Sequence, residues 1–133
     1  MKGVPARITK GIQHHTVLNV CDNSGAKKIK VFTIVGAKTR KGRYPAGGVG
    51  DLVMASVIEG SAEMRKQVVY AVIVRQKKEY RRRNGVRISF EDNAAVVLKD
   101  EDGNPKGTRI KGPIAKEAAE RWPFVAKLSN IIV

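Results

Sequence analysis

Short apolar runs, each followed by turn-forming residues, restrict the folds open to this chain more than any other feature. Six candidate strands follow from them, at residues 16–21, 27–35, 52–58, 67–75, 86–90 and 94–98. The linkers contain Gly or Asn and leave no space for the crossover helix that joins parallel strands. The pattern therefore predicts an antiparallel meander or a small barrel, and barrel closure would remove open sheet edges.

The last twenty residues change to a helical period. Pro113 suits the first position of a helix, and Pro123 ends or kinks that helix. The apolar face of the helix consists of Ile114, Ala115, Ala118, Ala119 and Trp122. Two pairs of opposite charge four residues apart are expected on the solvent side, Lys116 with Glu120 and Glu117 with Arg121.

Length and composition suit one globular domain. The chain has 133 residues, of which 42% are hydrophobic, enough for an ordinary core. We predict one domain, with barrel strands and hairpins over residues 1–112 and a helical segment over 113–133. The single cysteine, Cys21, excludes an internal disulfide and is expected to be a small buried hydrophobe in a reducing cytoplasm. No signal peptide or transmembrane helix is expected.

A concentration of cations surrounds the dipeptide Asn84-Gly85. Seven of the thirteen residues from 75 to 87 are Lys or Arg, against the single acid Glu79, a local net charge of +6 (7 − 1). Asn-Gly favours a two-residue type I′ turn, because both residues tolerate positive φ. Residues 68–74 and 86–90 are therefore predicted to form a hairpin whose tip carries these charges. A polyanion is the partner that would neutralise them.

Two further basic sets strengthen this interpretation. The second set is Lys38, Arg40, Lys41 and Arg43, beside Tyr44, and the third is Lys106, Arg109 and Lys111. With 26 bases against 12 acids the net charge is +14, which favours nucleic acid as partner, with an anionic membrane surface second. Only seven residues are aromatic, too few for a single-strand stacking platform. Recognition of RNA backbone charge and shape is therefore preferred over base reading.

Catalytic and metal-binding alternatives have weaker support. His14 and His15 are expected on opposite sides of a strand, so both cannot bind one ion, and no metal site or cofactor is predicted. Ser24 and Asp22 lie near His15 in sequence, but the surrounding segment has the composition of a turn. Asp22 and Asp51 stay open as a carboxylate pair of a nucleic-acid enzyme.

Two other segments are assigned to turns and to the surface. Gly47, Gly48 and Gly50 lead through Asp51 into a strand rather than a helix, which favours tight turning over a phosphate-binding loop. The acidic stretch is Glu91, Asp92, Asp100, Glu101 and Asp102, with Lys99 as its one base. This stretch is expected to face away from a polyanion or to meet a basic protein neighbour.

Four groups of residues match the sequence pattern of a known protein family in type and order. They are residues 18–26 (LNVCDNSGA), residues 48–51 (GVGD), residues 71–74 with Asn84-Gly85, Phe90, Asn93 and Val96-Val97, and residues 107–110 with 112–114. Together they resemble the family of large-subunit ribosomal protein fourteen in the universal numbering, over nearly the whole chain. Two features resemble the archaeal and eukaryotic branch of this family. One is Lys111, at a position where bacterial members usually have an aromatic residue, and the other is Trp122-Pro123.

This resemblance implies a mainly β fold, with a small closed five-stranded antiparallel β-barrel, a projecting β-ribbon and short C-terminal helices. It implies a non-catalytic constituent of the large ribosomal subunit that binds large-subunit rRNA and contributes to intersubunit bridges with small-subunit rRNA. Ribosomal protein three and, in archaea, the twenty-four-e protein are the implied neighbours. The resemblance also implies that initiation factor six docks on this protein. No membrane, cofactor or small-molecule substrate is expected.

The basic sets supply the candidate rRNA-binding residues. They are Lys38, Arg40, Lys41, Arg43, Lys77, Lys78, Arg81, Arg82, Arg83, Arg87, Lys106, Arg109 and Lys111. The residues by themselves leave two other functions open. One is a free RNA-binding factor or RNA chaperone with an oligonucleotide-binding barrel, and the other is the nucleic-acid enzyme with Asp22 and Asp51.

Overall fold

The computed structural model describes residues 6–37 and 39–133, so the predicted contact residue Lys38 lies outside the described residues. Within them the chain forms short strands and two short helices. The strands are β1 (Ala6–Arg7), β2 (Ile12–Gln13), β3 (Val17–Val20), β4 (Ala26–Ile34), β5 (Ala46–Gly47), β6 (Leu52–Gly60), β7 (Val68–Arg75), β8 (Tyr80–Arg82), β9 (Arg87–Ile88), β10 (Ala94–Leu98), β11 (Pro113–Ile114) and β12 (Ile131–Ile132). The helices are α1 (Lys116–Arg121) and α2 (Pro123–Leu128).

Five strands close into a barrel in the order β10-β3-β4-β6-β7. The mainly β fold with a closed five-stranded barrel is thus confirmed. Neighbouring strands are antiparallel except β10 and β3, which are parallel, so the expectation of purely antiparallel pairing is wrong. In a meander each strand reverses direction, so the fifth strand runs the same way as the first. Closure of an odd-numbered barrel therefore requires one parallel pair, and the meander itself replaces a crossover helix.

The barrel strands bury side chains on two sides. The barrel interior contains Leu18, Ile29, Val31, Val53, Ala55, Ile73 and Val97. Outside the barrel, a second cluster joins Val72, Val74, Val96 and Leu98 to Ala115, Ala118, Trp122 and Val125 of the C-terminal segment. Both faces of β7 and β10 are therefore covered. This explains why residues 71–74 and 94–98 are continuously apolar instead of alternating.

The first helix of the C-terminal segment does not begin at Pro113, where it was predicted. Pro113 and Ile114 form β11, which pairs in parallel with β12. The backbone N–H of Ala115 donates to the Val74 carbonyl at 3.0 Å, and the helix begins only after this attachment. Pro123 starts α2, as its missing N–H permits at a first helical position. The predicted apolar face is buried, as expected.

One of the two predicted charge pairs on α1 is wrong. Lys116 and Glu120 do approach at 4.0 Å on the surface. Glu117, however, is buried and receives hydrogen bonds from Tyr80 and Arg82 of β8. Its expected partner Arg121 pairs instead with Asp51 at 3.2 Å. The helix has no single solvent side, because β8 contacts it on one side and the start of β6 on another.

The Asn84-Gly85 turn also differs from its prediction. The hairpin joins β8 to β9, whereas β7 pairs with β6 and β10. Gly85 N–H donates to the Arg82 carbonyl at 2.9 Å, and Arg82 N–H donates to the Val86 carbonyl at 2.9 Å. Gly85 has a φ of 86°, whereas Asn84 does not have a positive φ, so the turn is not type I′. Asn84 Oδ1 accepts the Val86 N–H at 3.0 Å and stabilises this longer loop with one left-handed glycine.

Candidate nucleic-acid interface

Strands β1, β8 and β9 form a small sheet outside the barrel, which we call the ribbon. Arg7 is in register with Arg81, and Arg81 is in register with Arg87. Residues in register on neighbouring strands project from the same face of a sheet. The three exposed arginines therefore form a line across the ribbon, the arginine row.

The opposite face of the ribbon explains why the arginine row faces solvent. Tyr80 and Arg82 flank Arg81 along β8, so they project to the other side. Tyr80 is 1% exposed and belongs to the apolar cluster that includes the C-terminal helices. Burial of that face fixes the orientation of the strand and leaves its basic face outward.

The arginine row brings like charges together without enough acids to compensate them. Cations directly opposite each other on neighbouring strands are destabilising. Glu79 pairs with Arg87 at 3.1 Å, but both side chains are at least half exposed, so solvent screens this bond. Within the described residues, Arg7, Arg81 and Arg83 have no ion pair. A polyanion laid across the row would relieve the repulsion.

Arg82 differs from the other candidate contact residues because its charge is used inside the protein. Its Nε lies 2.6 Å from Glu117 Oε1, and its Nη2 donates to the Val133 carbonyl at 2.6 Å. Hydrogen bonding to Glu117 raises the pKa of Arg82. Burial alone would raise the pKa of Glu117, but hydrogen bonds from Arg82 and Tyr80 outweigh burial and hold that pKa below its ordinary value. Arg82 therefore fastens the ribbon to α1.

The predicted loop cluster is exposed between β4 and β5. Arg40, Lys41 and Arg43 form a turn in which the Arg43 N–H donates to the Arg40 carbonyl at 3.4 Å. The Thr39 hydroxyl donates to the Arg43 carbonyl, which closes the base of the loop. Three cations are thus presented on a short connection with no acid among residues 39–44.

The third set lies on a segment held against the first turn of the barrel. Asn23 Oδ1 accepts the N–H groups of Thr108 at 2.7 Å and Arg109 at 3.3 Å. Lys111 N–H donates to the Cys21 carbonyl at 2.6 Å. These backbone bonds leave the side chains of Arg109 and Lys111 exposed. Lys106 is also exposed, although its Nζ lies 3.1 Å from the Met64 sulfur.

Lys77 and Lys78 are exposed on the connection from β7 to β8. The buried side chain of Gln76 holds this connection in place. Its Oε1 accepts the Val49 N–H at 3.0 Å, and its Nε2 donates to the carbonyls of Thr9 at 2.7 Å and Lys78 at 2.8 Å. The three predicted sets thus occupy separate elements rather than one cluster, and only Arg81 and Arg87 come into direct register.

Sequence reasoning missed some exposed cations. Arg7 completes the arginine row, but no local pattern indicates that it pairs with Arg81. Lys28 and Lys30 lie on the outer surface of β4, where they alternate with the buried residues Ile29 and Val31. That alternation was visible in the sequence and could have identified them as a further basic surface.

The residues considered for catalysis have structural roles. Asp22 is buried, and its carboxylate accepts bonds from the Ser24 hydroxyl at 2.7 Å and the Val97 N–H at 3.0 Å. Burial raises the pKa of Asp22, against the opposing effect of these hydrogen bonds. Asp51 accepts the Gly48 N–H at 2.8 Å and pairs with Arg121. This turn role for the glycines near Asp51 agrees with the prediction.

The histidines are not on a strand, so that part of the prediction is wrong. The Thr16 N–H donates to the Gln13 carbonyl at 3.1 Å, which places His14 and His15 at the centre of a turn. Within residues 6–37 and 39–133, no group of three or more His, Cys, Asp or Glu side chains could hold a metal ion. Cys21 is buried as predicted, and burial raises its pKa to about 12.

No helix in the part of the chain that the structure describes is long and apolar enough to cross a membrane. Exposed cations lie outside the barrel on the ribbon, the 39–44 loop and the 106–111 segment. An arrangement of this kind suits the binding of phosphates through charge, with the barrel as a rigid support.

Comparison with known proteins agrees with this description. A model of the family "Ribosomal protein L14p/L23e" matches residues 11–133. The large ribosomal subunit protein uL14 of Nanoarchaeum equitans is 53% identical over 133 residues, which cover all of both chains. The uL14 proteins of Methanococcus maripaludis and Halobacterium salinarum are 52% and 45% identical, over 99% and 100% of both chains respectively. The chain therefore belongs to the L14p/L23e family of ribosomal proteins, which are structural, non-enzymatic constituents of the large ribosomal subunit and, in its archaeal uL14 relatives, of the cytoplasmic ribosome.

Proposed function

We propose that this chain binds large-subunit rRNA through the arginine row and the neighbouring basic loops, and contributes to intersubunit bridges. Membership in a family of structural ribosomal constituents decides against the free factor and the enzyme considered above. The observation that carries the proposal is the register of Arg7, Arg81 and Arg87 across three strands. Neighbouring strands lie about 4.8 Å apart, so the backbone positions that carry these three charges are close neighbours on one face.

The proposed contacts fall into two groups by their attachment. The first group is Arg81 and Arg87 on the ribbon, Arg83 on the turn between β8 and β9, and Lys77 and Lys78 before β8. The buried face of β8 and the side chain of Gln76 hold this group in place. Lys106, Arg109 and Lys111 lie on a segment that hydrogen bonds hold to the barrel, whereas Arg40, Lys41 and Arg43 lie on a loop closed by its own hydrogen bonds. Lys38 belongs to the proposal on sequence grounds only. Arg82 is assigned to positioning the ribbon, because Glu117 already binds its guanidinium.

Reversal of two charges on the ribbon tests the rRNA proposal. The double variant Arg81→Glu/Arg83→Glu spares Arg82, so the bond to Glu117 is left intact. We expect it to weaken binding to large-subunit rRNA at least tenfold at low salt. It should also reduce the slope of log affinity against log salt by about two, because two phosphate contacts are lost. Filter binding over a salt series measures both quantities.

The matched control is Lys99→Glu/Lys127→Glu, which changes the same total charge away from the ribbon. Each double variant lowers the net charge from +14 to +10 (14 − 4), so a general field effect is equal in both. The control should retain its salt slope, and circular dichroism should show both variants folded. Equal loss of affinity in the two variants would remove the ribbon from the binding surface.

The bridge component can be tested with a cleaving reagent attached to single cysteines. The native Cys21 is buried with a pKa of about 12, so it will not compete for a thiol-directed iron chelate. We expect chelates on Lys41→Cys or Asn84→Cys to cleave small-subunit rRNA only in joined ribosomes. Lys99→Cys on the acidic stretch serves as the control. Absence of small-subunit cleavage from both basic positions would contradict the bridge.

We further propose that protein neighbours contact a groove beside the two C-terminal helices. A groove of about 540 Å³ beside α1 and α2 is lined by apolar side chains, by the acids Glu101, Asp102 and Glu120, and by one cation, Arg121, which is paired with Asp51. These carboxylates repel phosphate but suit a basic protein segment. Ribosomal protein three and the twenty-four-e protein, together with initiation factor six, are the candidates that the family resemblance suggests for such contacts.

A further inference from the structure

Three aromatic rings stack at the surface beside the 39–44 loop. The centroids of His14 and Tyr44 are 5.0 Å apart with an angle of 5° between the ring planes. His15 continues the stack, with its centroid 3.7 Å from that of His14 and a tilt of 32°. We call these three side chains the ring stack.

The ring stack does not belong to the hydrophobic core. Tyr44 is 74% exposed, the highest value of any large hydrophobic side chain among the described residues. Neither apolar cluster includes any of its three members. Tyr44 therefore contributes little burial to the fold, yet its ring has a defined orientation against His14.

Two backbone features build the ring stack. Gln13 pairs with Ala46 between β2 and β5, and this brings the 13–16 turn beside Tyr44. His15 has a φ of 69°, in the left-handed region that a side chain rarely adopts. Its N–H donates to the Val31 carbonyl at 2.7 Å, which anchors the strained residue to the barrel. The pKa of His15 is lowered by partial desolvation and by the charges of His14 and Lys30, which favours an uncharged ring.

The surroundings indicate what would bind to the free face of Tyr44. Arg40, Lys41 and Arg43 lie within four positions of Tyr44, and all three are exposed. An exposed aromatic ring bordered by cations suits an unpaired nucleotide, whose base stacks while its phosphates meet the charges. Along a double helix the base faces are stacked on one another, so its side would contact only the cations.

We propose that the ring stack binds one unpaired base of RNA on the outward face of Tyr44, with His14 as the support behind it. This inference rests on the proposed rRNA-binding function and adds a contact of a different kind to it. It also revises, at this one position, the preference for recognition of backbone charge and shape over contact with bases. One well-placed ring is sufficient for one base, although seven aromatics do not make a continuous platform.

The test compares three fluorescent probes by anisotropy with the full chain. They are a short oligoadenylate, an abasic ribose-phosphate strand of the same length and charge, and an RNA duplex whose two ends are closed by non-nucleotide linkers. The native chain is expected to prefer the oligoadenylate over the abasic strand by about 5- to 100-fold, the contribution of one stacked base. Tyr44→Phe should retain this preference, whereas Tyr44→Leu should abolish it without changing affinity for the duplex.

The same measurements separate this inference from the broader function. Arg40→Gln/Arg43→Gln should weaken binding to all three probes equally, because it removes charge and leaves the rings. If every probe binds but Tyr44→Leu keeps the native preference for bases, stacking is refuted and phosphate binding stands. If the native chain binds none of the probes, both proposals fail. Since Tyr44 is exposed, circular dichroism should show the leucine variant folded.

Discussion

Replacing Glu117 with leucine is expected to lower the free energy of unfolding by about 3–5 kcal/mol, because it leaves the partly buried Arg82 guanidinium without its counter-charge. The side chains of Arg82 and Glu117 are 19% and 3% exposed, so water compensates little of the loss. The Tyr80 hydroxyl, 2.7 Å from Glu117 Oε2, would also lose its acceptor. Urea unfolding followed by circular dichroism measures the change.

The control for this prediction is Glu120→Leu on the same helix. Glu120 only approaches Lys116 at 4.0 Å on the surface, so we expect a loss below about 0.5 kcal/mol. The apolar triple variant Tyr80→Phe/Arg82→Met/Glu117→Leu should regain most of the stability, because no unpaired polar group is left buried. Similar losses for the two glutamates would show that the buried bond is not important to the fold.

The same bond predicts a pH dependence with a definite sign. The folded-state pKa of Glu117 is below its ordinary value of 4.5, so its contribution to stability is present above about pH 4.5 and is lost as the pH falls through the folded-state pKa. The stability difference between the native chain and Glu117→Gln should therefore be large near neutrality and shrink in acid. A difference that is constant from neutral to acidic pH would contradict an ionised Glu117.

Replacing Trp122 with alanine is the second large effect that we expect, a loss of about 3–5 kcal/mol from removal of a buried aromatic ring. Trp122 is 5% exposed and packs against the outer cluster of the barrel. A Cβ added to Gly103 would come within 2.7 Å of its ring, which shows how closely the loop lies on it. Thermal unfolding followed by circular dichroism is suitable, since the only tryptophan is the residue replaced.

Two variants separate the ring from its hydrogen bond. Trp122 Nε1 donates to the Gly50 carbonyl at 2.8 Å, so Trp122→Phe should cost about 1–3 kcal/mol through the unsatisfied buried acceptor and lost volume. Phe124→Ala, in the same segment but 48% exposed, should cost below about 1 kcal/mol. Equal losses at positions 122 and 124 would be inconsistent with α1 and α2 docking through Trp122.

The fold was predictable where local patterns agree with burial. Strand β10 was predicted with its observed bounds, because residues 94–98 are uniformly apolar between polar residues. The turn after β3 was also predictable, since Asp22 and Asn23 have the hydrogen-bonding groups that such a turn uses. The start of α1 was not, because Pro113 is equally suited to a strand end and Ile114 is buried in either structure.

The candidate interface was predictable in composition but not in arrangement. A run such as Arg81-Arg82-Arg83 identifies a basic element. Nothing in the neighbouring sequence, however, distinguishes the exposed Arg81 and Arg83 from the partly buried Arg82. Arg82 is distinguished only by Glu117, 35 positions away, whose helix packs under the ribbon. Arg7 joins the row through pairing with β8, which again connects distant parts of the chain. Periodicity in the sequence does not indicate which residues of distant segments contact each other.

By itself, the order of apolar runs, turn residues and cations determined that this protein is a small β domain with a large positive charge and a family likeness. Those properties depend on residue type and short-range spacing, which are read directly along the chain. Only the tertiary structure decided the parallel closure of the barrel, the line of three arginines and the contact between Tyr44 and His14. Each of these needs strands or loops far apart in sequence to meet in one register, and register is set by packing of the whole domain.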